Sequence, residues 1–297
     1  MMLGKPNSNA VFVIDNFTRT FSIKDSPTFQ YGRDEILSSE ATDITFGQLW
    51  YDEGYTEIDF LNQDEFSTLK TGLQESIRRI VEEEVSSELD GFCLENYHHF
   101  VKSDSEHFRI VSRTRDLFSK DFNFSITSLF PRLDSIMGFE LTDIDPKLEH
   151  KIHIIVRINR PKSNDYNPPH KDIYEGVDKF SYIPPFVNFW IPIAGVNQNS
   201  NLPIAPKSHK ISEREIFRTV DGGVIEGNKY RVRMIQSWGG KNSLIRSQVK
   251  YGQVLIFSSH LIHGLGVNDN DDITRVALEF RLYKNLELNQ TVSSIED

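Results

Sequence analysis

Apolar and polar positions follow a helical period in the first half of this chain and a period of two in the second. Phe66, Leu69, Leu73, Ile77 and Ile80 recur at three- and four-residue steps, and Asn62 with Glu65 has capping-box spacing. This predicts an amphipathic helix over 63–84 that lays one apolar stripe on a sheet. Residues 100–145 hold more helix-compatible pattern, broken at Pro131 and Gly138. From Lys151 the texture changes. Ile152, Ile154, Val156 and Ile158 alternate with His153, Ile155, Arg157 and Asn159, which predicts a strand with one aliphatic face. Further strands are expected over 186–193, 202–205, 253–258 and 275–283, separated by glycine, proline and asparagine clusters.

Helices followed by antiparallel strands predict an α+β, mainly β fold, a β-sandwich with helices packed outside it. The expected organisation is an N-terminal extension over 1–45, a main domain over 46–288 and a tail over 289–297. Val11-Phe12-Val13-Ile14 is a short β-like run inside the extension; whether that segment caps the core, mediates oligomer contacts or is partly mobile, the pattern does not choose.

Composition narrows the function classes. The 38% hydrophobic content and 21 phenylalanines suffice for a sizeable core. No apolar run has membrane-helix length and Met1 to Asn9 lacks a signal-peptide core, so a cytoplasmic protein without membrane attachment is expected. The single Cys93 excludes an internal disulfide framework and a cysteine-rich zinc site. A net charge of −10 repels phosphate backbones, and the three charges of Lys229-Tyr230-Arg231-Val232-Arg233 do not override it, so no nucleic-acid partner is expected. Nothing in the sequence sets an oligomeric state.

The chemistry is carried by His170-Lys171-Asp172. In an extended segment residues i and i+2 point to one side about 7 Å apart, so an imidazole and a carboxylate converge on one ion. Two histidines and one carboxylate on one face of an octahedron leave the other face open, which is the non-haem Fe(II) arrangement. The second histidine is expected where the apolar run Val254 to Phe257 ends, at His263, with His260 in the same loop as the alternative. Downstream, Arg275 opens the last strand with a guanidinium suited to bidentate carboxylate recognition, and Arg281 shares its face. His98 with His99 and His150 with His153 lack further partners at zinc-motif spacing and read as ordinary polar residues.

These stretches, in order, resemble the phytanoyl-CoA dioxygenase-like branch of Fe(II)/2-oxoglutarate oxygenases. The resemblance runs roughly from Gly54 to Tyr283 and includes Gly54-Tyr55, Arg157-Ile158-Asn159-Arg160-Pro161, Phe189-Trp190-Ile191-Pro192, Pro206 to His209 and Ile262-His263-Gly264-Leu265-Gly266. It implies a double-stranded β-helix (a cupin-like jelly roll) with flanking N-terminal helices. By position it implies Fe(II) held by His170, Asp172 and His263, 2-oxoglutarate held by Arg275 with Asn159 and Trp190 lining its pocket, and O2 as the oxidant. Many relatives carry a serine two positions after the distal histidine; here that position is Leu265.

The activity so implied is hydroxylation of a small-molecule substrate. Arg275 facing the iron cavity places Arg157, Asn159 and Glu279 inside it and sends the aliphatic faces of both strands under the 63–84 helix. A cavity with Arg157 suits a small polar metabolite rather than a long acyl chain. The length and the asparagine-rich loop from Val196 to Asn201 lean towards a sugar or sugar-derived intermediate. The rival functions are a non-catalytic jelly-roll metabolite- or carbohydrate-binding protein, disfavoured by the intact triad and Arg275, and a halogenase, disfavoured by Asp172.

Overall fold

The computed structural model describes residues 8–285 except 26, 34–35, 86–87, 116, 118–120, 122–124, 148, 150–153, 176–181 and 184. The first residues of the strand expected from Lys151, including Ile152 and His153, and the expected tail lie outside the described residues, as does His150.

The predicted helix is α1 (Gln63–Glu84). Asn62 Oδ1 accepts the Asp64 and Glu65 N–H groups while Glu65 returns a bond to the Asn62 N–H, so the cap expected from sequence starts the helix. Its stripe of Leu69, Leu73, Ile77 and Ile80 is buried, each side chain stabilising by roughly 1.5–3 kcal/mol. Two more helices follow, α3 (Asp104–Thr114) and α4 (Phe130–Met137), after the single turn α2 (Tyr97–Phe100). Pro131 does not break the helical stretch. It stands in the first turn of α4, where a missing N–H costs nothing, and left-handed Gly138 closes that helix.

The sheet beneath the helices is antiparallel. It runs β4 (Tyr55–Asp59), β14 (Gln253–Ser258), β7 (Phe186–Ala194), β15 (Arg275–Lys284), β5 (Leu141–Thr142), with β6 (Ile155–Asn159) also on β15. Alternation divides its faces. Val156, Ile158, Val187, Phe189, Ile191, Val254, Ile256, Val276, Leu278 and Phe280 form one cluster with the α1 stripe, as the sequence predicts. Asn188, Trp190, Glu279 and Arg281 take the opposite face. Pro192 is tolerated inside β7 because the β15 register shifts beside it and the β14 pairing stops at Trp190.

The opposing sheet runs β11 (Asn228–Tyr230), β10 (Gly223–Ile225), β2 (Phe17–Lys24), β1 (Ser8–Ile14), β13 (Ser243–Arg246), β8 (Pro203–Ile204). A third comprises β12 (Ile235–Trp238), β9 (Ile216–Thr219) and β3 (Phe29–Tyr31). The hairpin of β1 and β2 turns on Asp15-Asn16, both at positive φ, and sends Phe12, Ile14, Phe21 and Ile23 into a second core with Trp238, Ile262 and Leu265. These curled sheets make the double-stranded β-helix, with the helices outside the sheet of β4, β14, β7, β15, β5 and β6. No helix among the described residues is long and apolar enough to cross a membrane.

Candidate metal centre

Chain crossing brings the two distant histidines together. His170 and His263 form an antiparallel bridge, with His170 N–H donating to His263 O at 2.9 Å and His263 N–H to His170 O at 3.1 Å. The approach needs Gly264: its φ is +135°, and a Cβ there would lie 2.4 Å from Pro168 O. The Pro206-to-His209 stretch braces the same segment from behind, Ser208 Oγ accepting the Ile262 N–H at 2.8 Å. Extended geometry at His170-Lys171-Asp172 sends Lys171 the other way. There it pairs with Glu213 at 2.9 Å, and Glu213 also binds Tyr174 and Arg218, all four buried.

His170, Asp172 and His263 are each 3% exposed, and their ligand atoms lie within 4.8 Å of one another. His170 Nε2 is 3.5 Å from Asp172 Oδ1 and His263 Nε2 is 3.6 Å from Asp172 Oδ2. Each Nδ1 meets a main-chain carbonyl, Pro168 O at 2.7 Å for His170 and Leu261 O at 3.0 Å for His263. Donation there fixes the tautomer and turns both Nε2 lone pairs towards Asp172. His263 Nε2 and Asp172 Oδ2 have no hydrogen-bond partner. A buried carboxylate oxygen and an imidazole lone pair facing each other repel unless a cation lies between them, so the donor set fits a divalent metal.

Electrostatics keep Asp172 and His263 deprotonated. Burial opposes the charge on Asp172, but the guanidinium of Arg281 and the imidazoles of His263 and His170 outweigh it and hold its carboxyl well below the usual range. Burial pushes His263 down to about 4, against the pull of Asp172. Arg281 Nη2 donates to Asp172 Oδ1 at 2.7 Å, so Arg281 belongs to the carboxylate of the triad. His260 is directed away: its Nε2 lies 2.9 Å from Thr42 O, beside the Asp43 carboxylate that accepts from Ser258.

Arg275 is 2% exposed, and its partners are neutral. Nη1 donates to Asn159 Oδ1 at 2.9 Å and to Gly266 O at 3.1 Å, while Nε has no partner and no ion pair to Arg275 forms among the described residues. Gly266 lets the guanidinium come this close: a Cβ there would stand 2.6 Å from Arg275 Nη1 and displace it. Burial, with Arg246 and Arg157 nearby, lowers Arg275 to about 9. A buried cation of that kind accepts an anionic ligand readily. Its guanidinium lies 5.2 Å over the Trp190 ring, whose Nε1 is unpartnered. Asn159 is engaged by Arg275 and Asp165, so it orients the guanidinium.

The other polar groups expected in the cavity satisfy one another. Arg157 binds Glu279 through two bonds of 2.9 and 3.0 Å. Leu265 does not stand in for the relatives' serine, because its side chain packs into the second core. His98 and His99 meet Asp272 at 2.8 and 2.9 Å at the surface, with Thr274 on His98. Sequence reasoning missed Asn188, Lys171, Glu213 and the role of Arg281. A polar residue inside the apolar run Phe186 to Ile193 was the available signal for Asn188.

Comparison with known proteins adds the following. The family described as Phytanoyl-CoA dioxygenase (PhyH) matches residues 50–277. No curated protein matches the chain. Similar solved structures include AviO1 from Streptomyces viridochromogenes Tue57, 15% identical at a TM-score of 0.43 over 79% of this chain and 91% of that one. EctD from S. alaskensis with 2-oxoglutarate and 5-hydroxyectoine is 12% identical at 0.45 over 89% and 86%. A non-heme monooxygenase, the ThoJ–Ni complex, is 15% identical at 0.40 over 79% and 75%.

Proposed function

The chain belongs to the phytanoyl-CoA dioxygenase family of Fe(II)- and 2-oxoglutarate-dependent dioxygenases, and from that premise we propose that it hydroxylates a small polar metabolite, of which a sugar or sugar-derived intermediate is the favoured kind. His170, Asp172 and His263 would hold the iron, and Arg275 the distal carboxylate of 2-oxoglutarate. The observation that carries this is the facing pair of orphaned buried atoms, His263 Nε2 and Asp172 Oδ2, on one floor with the unpaired cation of Arg275.

Bound iron, with 2-oxoglutarate and O2, supplies the oxidising power for hydroxylation, with succinate and CO2 as coproducts. The protein's part is positional. Main-chain carbonyls keep both imidazoles in the metal-binding tautomer, and Arg281 keeps Asp172 ionised and aimed. Arg275, steadied by Asn159 and Gly266 and lying over Trp190, offers its remaining donors to a carboxylate. Leu255, Phe257 and Trp190 are fully buried and keep water from the floor. Arg157 is committed to Glu279 yet its side chain is 25% exposed, which suits a residue at the edge of a polar substrate site.

Succinate release against panels of sugars, amino acids and acyl thioesters tests the reading. Stimulation by sugars or amino acids, diminished in Arg157→Ala, is expected. Stimulation by acyl thioesters alone, insensitive to Arg157→Ala, overturns the polar-substrate assignment.

A further inference from the structure

Resting on that reading of the site, we propose that Asn188 is a specificity-determining residue whose side-chain amide takes a hydroxyl group of the primary substrate. Asn188 is fully buried near the start of β7, and neither its Oδ1 nor its Nδ2 has a hydrogen-bond partner. Leaving both halves of an amide unpaired in a protein interior is costly, and an apolar side chain of the same size would serve the fold better. The residue shares a strand face with Trp190, on the cavity side of the sheet, opposite Val187 and Phe189 in the helix-side core.

Its cross-strand neighbours place it under the triad. Asn188 pairs with Phe257 on β14 and with Arg281 on β15. The Phe257 ring lies 4.9 Å from that of His263, and Arg281 reaches Asp172 at 2.7 Å. Arg281 Nε, like the amide, is buried without a partner. Leaving aside the Trp190 Nε1 donor, which lies with Arg275, the floor around Asn188 presents two unpaired donor groups, Asn188 Nδ2 and Arg281 Nε, and one unpaired acceptor, Asn188 Oδ1.

That inventory discriminates between ligands. A carboxylate only accepts, so it would satisfy the donors and leave Oδ1 orphaned. A hydroxyl donates its one hydrogen to Oδ1 and accepts, through its two lone pairs, from both Nδ2 and Arg281 Nε, which satisfies the set. The cosubstrate anchor, Arg275 over Trp190, also lies at the opposite end of β15 from Arg281. Asn188 is thus better matched to a hydroxyl-bearing neutral substrate, such as a monosaccharide unit or a polyol, than to the dicarboxylate.

The test is Asn188→Leu, close in volume and without polar atoms. Three readouts are taken: melting temperature without ligands, 2-oxoglutarate affinity from the anaerobic Fe(II) complex absorption, and thermal stabilisation of that complex by neutral monosaccharides and polyols. The expected result is a higher ligand-free melting temperature, by roughly 2 °C or more. With it should come 2-oxoglutarate affinity within about twofold of wild type and loss of stabilisation by the hydroxylated probes. A lower melting temperature would show that the amide serves the fold. A fall of tenfold or more in 2-oxoglutarate affinity would assign it to the cosubstrate, and wild type unmoved by every hydroxylated probe would refute the ligand class. Failure of the underlying functional reading is separable, because the Fe(II) complex absorption would then be missing from wild type itself.

Discussion

The main chains of His170 and His263 exchange two hydrogen bonds, of 2.9 and 3.1 Å, so two residues far apart in sequence are locked as a strand pair with ring centroids 4.4 Å apart. The juxtaposition of the two imidazoles is therefore a property of backbone pairing rather than of side-chain rotamers alone, which preorganises the proposed metal site.

His260 is separated from this pair by direction, its ring turned to Thr42 O. His260→Ala should retain Fe(II) binding while losing the contact to Thr42 O, at a cost of about 1–3 kcal/mol in unfolding free energy. Anaerobic iron titration alongside thermal melting checks this; loss of iron binding with unchanged stability would reverse the assignment of His260 and His263.

Arg275 should act on cosubstrate affinity and leave iron binding nearly intact. Removing a buried charge-assisted partner costs roughly 2–4 kcal/mol, so Arg275→Ala should raise the 2-oxoglutarate dissociation constant by about 30- to 10³-fold. Arg281→Ala should instead weaken iron binding, because it frees Asp172 from its only guanidinium contact among the described residues. An unchanged 2-oxoglutarate affinity in Arg275→Ala would contradict this division of roles.

Stability should fall on the acid side. Burial lowers His107 to about 4, against Asp165, and lowers His209 to about 4, against Asp43. Both are depressed below the unfolded value of about 6.5, so the unfolded chain binds more protons between those limits. Their contribution is complete above pH ~6.5 and is lost as pH falls towards ~4, on the order of 3 kcal/mol each at most. His209→Phe keeps an edge contact to Tyr51 and should flatten the decline in melting temperature. An equally steep decline in that variant would remove His209 from the explanation.

Legibility in the sequence followed the range of the interactions involved. The α1 cap and stripe, the alternation in β6 and β15 and the ordered motifs are local or periodic, and the folded elements match them. The hairpin of β1 and β2 was half visible: Val11 to Ile14 signalled a strand, but its pairing with β13 depends on residues more than two hundred positions away. The triad candidates were legible because His170 and Asp172 share two-residue spacing and His263 ends an apolar run. Their surroundings were not. Arg281 on Asp172, Lys171 on Glu213 and His260 on Thr42 are long-range contacts with no spacing signature. Arg157 and Glu279 illustrate the same limit, since alternation put both on the cavity face and only the fold shows them neutralising each other.

The central claim is that His170, Asp172 and His263 bind one ferrous ion to which 2-oxoglutarate adds. Anaerobic titration of Fe(II) and 2-oxoglutarate, followed by the weak metal-to-ligand charge-transfer absorption of the complex, measures this directly. The account predicts the band in wild type and in His260→Ala, and its absence in His170→Ala, Asp172→Ala and His263→Ala. A band that survives in any of those three, or that never forms in wild type, would contradict it.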